Sequence, residues 1–83
     1  MMGRSPAEIN RQWCRATQEF AEQKLGRPLS PEESDKVWNT GSFLQLEQID
    51  MAIHYAETPG EIEAYLATLP MRDPLPEEYT RRN

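Results

Sequence analysis

From Val37 to Met71 the chain contains no lysine and no arginine, yet Glu47, Asp50, Glu57, Glu61 and Glu63 all fall inside that stretch. A segment without cations cannot neutralise phosphates, which is where most nucleic-acid affinity originates. Cysteine is nearly absent as well. Cys14 stands alone in 83 residues, so no internal disulfide can form and nothing in the chain calls for an oxidising compartment. No apolar run approaches the roughly 20 residues of a membrane-spanning helix. The opening MMGRSPAEIN lacks the apolar core of a secretory signal, so the expected location is cytoplasmic. Alternating β-branched runs are missing, which removes the strand signal. There is no internal repeat, no low-complexity tract, no glycine-rich phosphate loop, no Ser/His/Asp arrangement and no Cys-x-x-Cys pair.

What remains is a short chain, 37% hydrophobic, with a net charge of −5 that is unevenly spread. Residues 1–27 carry five cations (Arg4, Arg11, Arg15, Lys24, Arg27) against three acids, whereas residues 28–71 carry eight acids against Lys36 alone. Residues 72–83 balance at three against three. A weakly basic first segment therefore faces a strongly acidic middle, a pattern that speaks for a protein partner. A chain this short buries only about 60–65% of its unfolded surface, so its few large apolar residues must be well placed, or a second copy must complete the core.

The punctuation predicts an all-α fold, a compact bundle of three to four short helices spanning residues 1–70, with 71–83 as an extended or disordered tail. Ser5-Pro6 followed by Glu8 opens a first helix, and Gly26 with Pro28 stops it. Ile9, Trp13, Ala16 and Phe20 recur along it at helical spacing and are its expected buried face, which Ala21 and Leu25 widen. Ser30-Pro31-Glu32-Glu33 starts a second helix, which carries Val37 and Trp38 and ends at Asn39-Thr40-Gly41. Ser42 caps a third, running to about Ala56. Its inner stripe is Leu46, Ile49, Ile53 and Ala56. Thr58-Pro59-Gly60-Glu61 starts a fourth with Ile62, Tyr65, Leu66 and Leu69 facing inward, and Pro70 ends it. The expected core is Ile9, Trp13, Phe20, Leu46, Ile49, Ile53, Ile62, Leu66 and Leu69, with Trp38 plugging one end.

Each group with chemical potential has a bland reading. Cys14 lies at the edge of the expected apolar face, where a thiol packs as a small hydrophobe. His54 is the only base to activate it, and no motif links the two. Asp50, His54 and Glu57 share a helix face, but a metal needs further converging ligands that no second motif supplies. No cofactor and no metal is expected. Carboxylate acid–base catalysis needs a pocket that short helices leave little room for, so the chain reads as a non-enzyme. The second and third helices have the outline of a helix-turn-helix, but the would-be recognition helix carries Glu47, Asp50 and Glu57 and no cation.

The third helix has a second apolar stripe, Leu44, Met51 and Tyr55, away from its inner one. A surface helix normally shows one. The two readings are core or docking surface. The leading expectation is a small non-enzymatic regulator or inhibitor that binds a basic partner protein. Leu44, Met51 and Tyr55 would be its anchors, and Glu47, Asp50, Glu57 and Glu61, extended by Glu63, its steering charges. Two alternatives accompany it. One is a nucleic-acid mimic, a phage-type inhibitor of a DNA- or RNA-handling complex. The other is a transcription regulator that touches DNA through a basic first helix. A homodimer is a further expectation, and Leu75 and Tyr79 could make the tail a short docking motif.

Overall fold

The computed structural model describes residues 3–81. Five helices follow in chain order: α1 Pro6–Leu25, α2 Pro31–Trp38, α3 Phe43–Tyr55, α4 Pro59–Thr68 and α5 Glu77–Thr80. There is no strand among the described residues, so the fold is all-α. No helix among the described residues is long and apolar enough to cross a membrane.

The helix starts follow from their caps. The Ser5 hydroxyl accepts from the Glu8 amide at 3.2 Å, and the Ser42 hydroxyl accepts from the Gln45 amide at 3.4 Å. Ser30 with Glu33 and Thr58 with Glu61 form full capping boxes, in which the glutamate reaches back to the cap's own N–H. Gly26 ends α1 in the left-handed region at φ 75°, a geometry glycine adopts without strain. α3 and α4 have no such glycine, and lysines close them instead. Lys24 Nζ donates to the carbonyls of Ile53, His54 and Ala56 at 2.8, 3.1 and 3.0 Å. Lys36 Nζ donates to the Leu66 carbonyl at 3.1 Å. A cation at a helix C-terminus meets both the unsatisfied carbonyls and the negative end of the dipole.

α1 is the spine, touching each of the other four helices, and α4 also packs on α2 and α3. The core holds Val37, Trp38, Leu46, Ile49, Ile53, Ile62 and Leu66, all at or below 1% exposure. Burying each large aliphatic side chain contributes about 1.5–3 kcal/mol. Trp38 belongs to this cluster, and its indole N–H donates to Gln18 Oε1 at 2.7 Å.

The buried face of α1 is displaced by one residue from the expected one. Ala7, Asn10, Cys14, Thr17 and Ala21 face the interior. Ile9 is 40% exposed, Ala16 is exposed, and Trp13 and Phe20 pack on the core from its margin. Small residues at the centre let α1 lie close to the aliphatic side chains of the other helices, while the large rings wedge alongside. Cys14 is accordingly fully buried rather than at an edge, and its thiol donates to the Val37 carbonyl at 3.9 Å. Leu69, also expected in the core, is half-buried against it.

Residues 70–76 run without helix, and α5 then packs on α1. Asn10, 4% exposed, donates to the Tyr79 carbonyl at 2.8 Å, and Arg11 donates to the Glu78 carbonyl. At Gly41, φ is 70°, and a Cβ placed there would lie 3.4 Å from Leu75. The turn between α2 and α3 thus leaves room for the returning chain. The radius of gyration, 12.6 Å, is close to the ~12 Å of a packed chain of this length. Of the segment read as a tail, residues 82–83 lie outside the described residues.

Candidate interaction surface on the third helix

α3 carries two apolar stripes, and the rest of the chain buries one of them. Leu46, Ile49 and Ile53 are at most 1% exposed. At about 100° per residue, Leu44, Met51 and Tyr55 fall on the opposite side of the helix. They are 65%, 48% and 72% exposed, so this stripe is surface and not core. The side of α3 opposite its buried stripe thus shows three large apolar residues beside the exposed Gln48, unlike an ordinary amphipathic surface helix.

The acids stand on one flank of that ridge. Glu47 and Glu57 are exposed and Asp50 is half-buried. Among the described residues no cation forms an ion pair with any of the three. The two residues expected to extend this flank are used otherwise. Glu61 is the reciprocal half of the α4 capping box, its carboxylate accepting from the Thr58 and Glu57 amides. Glu63 pairs with Arg27 at 3.0 Å. Arg27 also holds Glu33 through two hydrogen bonds of 2.9 and 3.1 Å. That pairing, with the Ser30 amide, pulls the Glu33 carboxyl down to about 2. The acidic flank thus consists of Glu47, Asp50 and Glu57.

His54, read as a possible ligand with Asp50 and Glu57, sits among rings. Its imidazole lies 6.3 Å from Phe20 and 5.2 Å edge-on from Tyr55. No cluster of three His, Cys, Asp or Glu able to hold a metal ion is present among the described residues.

One contact was outside the sequence reading. Trp13 stacks on Phe43 at 5.3 Å with 14° between the rings, and Phe43 is still 41% exposed. The signal was available: Phe43, Glu47, Asp50 and His54 follow one another at spacings of four, three and four, a single line of the helix. Because α1 meets the start of α3 through Trp13 and its end through Lys24, the two helices run side by side in the same direction. Ile9, Trp13, Ala16 and Phe20, the line expected to be core, border this seam.

Elsewhere, an open pocket of about 380 Å³ lies where the returning segment meets the body, lined by Pro6, Asn10, Phe43, Leu75 and Tyr79 among others. A smaller one of about 140 Å³ brings together Lys36 and Arg72, the two cations that bound the charge gap, with Gln45 and Tyr65. Both cations already have work there. Lys36 closes α4, and the Gln45 carboxamide satisfies its neighbours when its nitrogen donates to the Thr40 carbonyl (3.2 Å) and its oxygen accepts from Arg72 (2.8 Å).

No protein-family model, curated protein or solved structure matches this chain.

Proposed function

We propose that this is a non-enzymatic, cytoplasmic binding protein that docks the outer face of α3 on a basic surface of another protein and so regulates or inhibits it. The observation that carries the reading is the exposed ridge of Leu44, Met51 and Tyr55 beside Glu47, Asp50 and Glu57. Apolar anchors that the chain does not bury for itself supply affinity, and unpaired carboxylates next to them supply steering and register. Glu61, committed to its cap, belongs to the scaffold of this face.

The alternatives receive less support. A nucleic-acid mimic needs an extended run of carboxylates, and here Glu33 and Glu63 are paired with Arg27 while Glu61 is a cap. A DNA-binding helix-turn-helix needs its two helices packed together. α2 and α3 each pack on α1 and α4 instead. Of the basic residues on or beside the first helix, Arg4, Arg11 and Arg15, Arg4 bonds Gln12 and Arg11 the Glu78 carbonyl. That leaves Arg15 alone of the three turned to solvent without such a bond among the described residues. A homodimer formed face to face through the ridge would bring Glu47 and Asp50 of both copies together, which favours a different partner.

The test is a photoreactive side chain at position 55, compared with one at Ala64 on the outer side of α4. In extract of the native host, position 55 should give a discrete adduct that position 64 does not. Against the partner so identified, Asp50→Lys with Glu57→Lys should slow association and flatten its salt dependence. Indiscriminate adducts at both positions, or an unchanged association rate, would sink the reading.

A further inference from the structure

The outer face of α3 does not end at α3. Where it meets α1 the surface continues as a seam between two helices that run in the same direction. The floor of the seam is aromatic: the Trp13–Phe43 stack at one end, and Phe20 beside His54 towards the other. Ile9 and Ala16 stand exposed on the α1 side. Met51 and Leu44 stand on the α3 side, and Glu47 and Asp50 share the line of Phe43 and His54. Lys24, which borders the seam, is turned onto the carbonyls that end α3 and over the Phe20 ring at 5.6 Å.

Three features fix the chemistry of the occupant. Leu44, Met51 and Tyr55 repeat at seven and four residues, so they offer ridges at helical period over a length of about 17 Å. The described residues include no sheet edge on which an extended peptide could add. Carboxylates and half-exposed aromatic faces together attract lysine and arginine, the rings through their quadrupoles. Resting on the reading that the outer face of α3 is the docking surface, we infer that the partner presents an amphipathic, lysine- or arginine-bearing helix, which lies along the α1–α3 seam as a third helix. Its apolar side would meet Met51, Ile9 and the Trp13–Phe43 stack, and its cations would meet Glu47 and Asp50.

The probe is a synthetic helix of roughly 18 residues, about five turns, with leucine on one face and lysine on the rest. Its twin has glutamate for every lysine. Trp13 is the reporter, since Trp38 is 1% exposed and Trp13→Phe identifies the signal. At low salt the lysine peptide should bind saturably, and the glutamate twin at least about tenfold more weakly. Ala16→Arg adds a large cation to an exposed position of a helix that tolerates it. It should weaken the lysine peptide about tenfold with an unchanged circular-dichroism spectrum, as should Glu47→Lys with Asp50→Lys. Ala64→Arg should change nothing. Equal binding of the twins would overturn the inference, and so would a silent Ala16→Arg. If Ala16→Arg is silent while the position-55 adduct still forms, the helix-in-seam geometry falls and the α3 reading stands. If that adduct is missing too, both fall.

Discussion

α1 and α3 lie side by side and solve opposite problems. α1 buries a strip of small and polar residues (Ala7, Asn10, Cys14, Thr17, Ala21) and sets its large apolar groups along one margin. α3 buries Leu46, Ile49 and Ile53 and still shows Leu44, Met51 and Tyr55 to solvent. On α1 most of the apolar surface goes into packing. On α3 there is more of it than packing uses. The difference teaches that apolar periodicity marks the stripes that would gain from leaving water, whereas the sizes of neighbouring residues decide how close two helices come and which stripe faces inward.

The sharpest way to break this comparison uses two leucines of the same helix. Leu46→Ala empties a fully buried site and should cost about 2–5 kcal/mol by chemical denaturation, enough to leave a domain this small barely folded. Leu44→Ala, two residues earlier, should stay within about 0.5 kcal/mol. Equal costs would mean that the outer ridge is part of the core.

Lys24→Met comes next. It keeps much of the aliphatic stem but removes the donor that three carbonyls at the end of α3 share, leaving that of Ile53 with the Ala56 amide alone. A loss of about 1–2 kcal/mol is expected, with faster hydrogen exchange confined to the last turn of α3. Arg15→Met, exposed on the same helix, serves as the near-neutral reference.

Thr17→Val probes the small strip of α1. The Thr17 hydroxyl is buried without a hydrogen-bond partner, so an isosteric methyl removes a desolvated polar group. Stability should rise by about 1 kcal/mol, whereas Thr17→Leu should lower it by about 1–3 kcal/mol through overpacking. A destabilising valine would show that the hydroxyl matters to the packing of α1.

The smallest effect concerns pH. Glu33 titrates lower in the folded chain than its ordinary value of 4.5, because Arg27 and the Ser30 amide favour its charged form. Its contribution is therefore complete above about pH 4.5 and fades as the pH falls towards about 2. Glu33→Gln should flatten the acid limb of the stability curve in that window and leave the neutral plateau slightly lower.

Much of the scaffold was legible because its signals are local. Ser5-Pro6, Ser30-Pro31 and Thr58-Pro59 each name a helix start through the cap they form, and Gly26 names an end. The inner stripe of α3 could be read because Leu46, Ile49 and Ile53 are bulky and regularly spaced. α1 misled because its aromatics are conspicuous and its buried residues are small. A wheel weighted by hydrophobicity centres on Ile9, Trp13 and Phe20 with Cys14 and Ala21 only at the margin, while close approach centres on Ala7, Cys14 and Ala21. The duties of Lys24, Arg27 and Lys36 were not legible, since each acts on a group 30 or so residues away. That invisibility also hid the fate of Glu63, whose position in sequence says nothing of Arg27. The exposed ridge was legible as a second stripe. Its facing water depended on where α1 and α4 came to lie.

The central claim is that the outer side of α3 is idle in holding the chain together and active in meeting a partner. Its most direct measurement is the adduct yield from a photoreactive group at position 55, taken on folded protein with and without Leu44→Gln and Met51→Gln together. The account predicts that the double variant keeps the wild-type unfolding midpoint and loses the adduct. An adduct that persists undiminished on the folded double variant would contradict it.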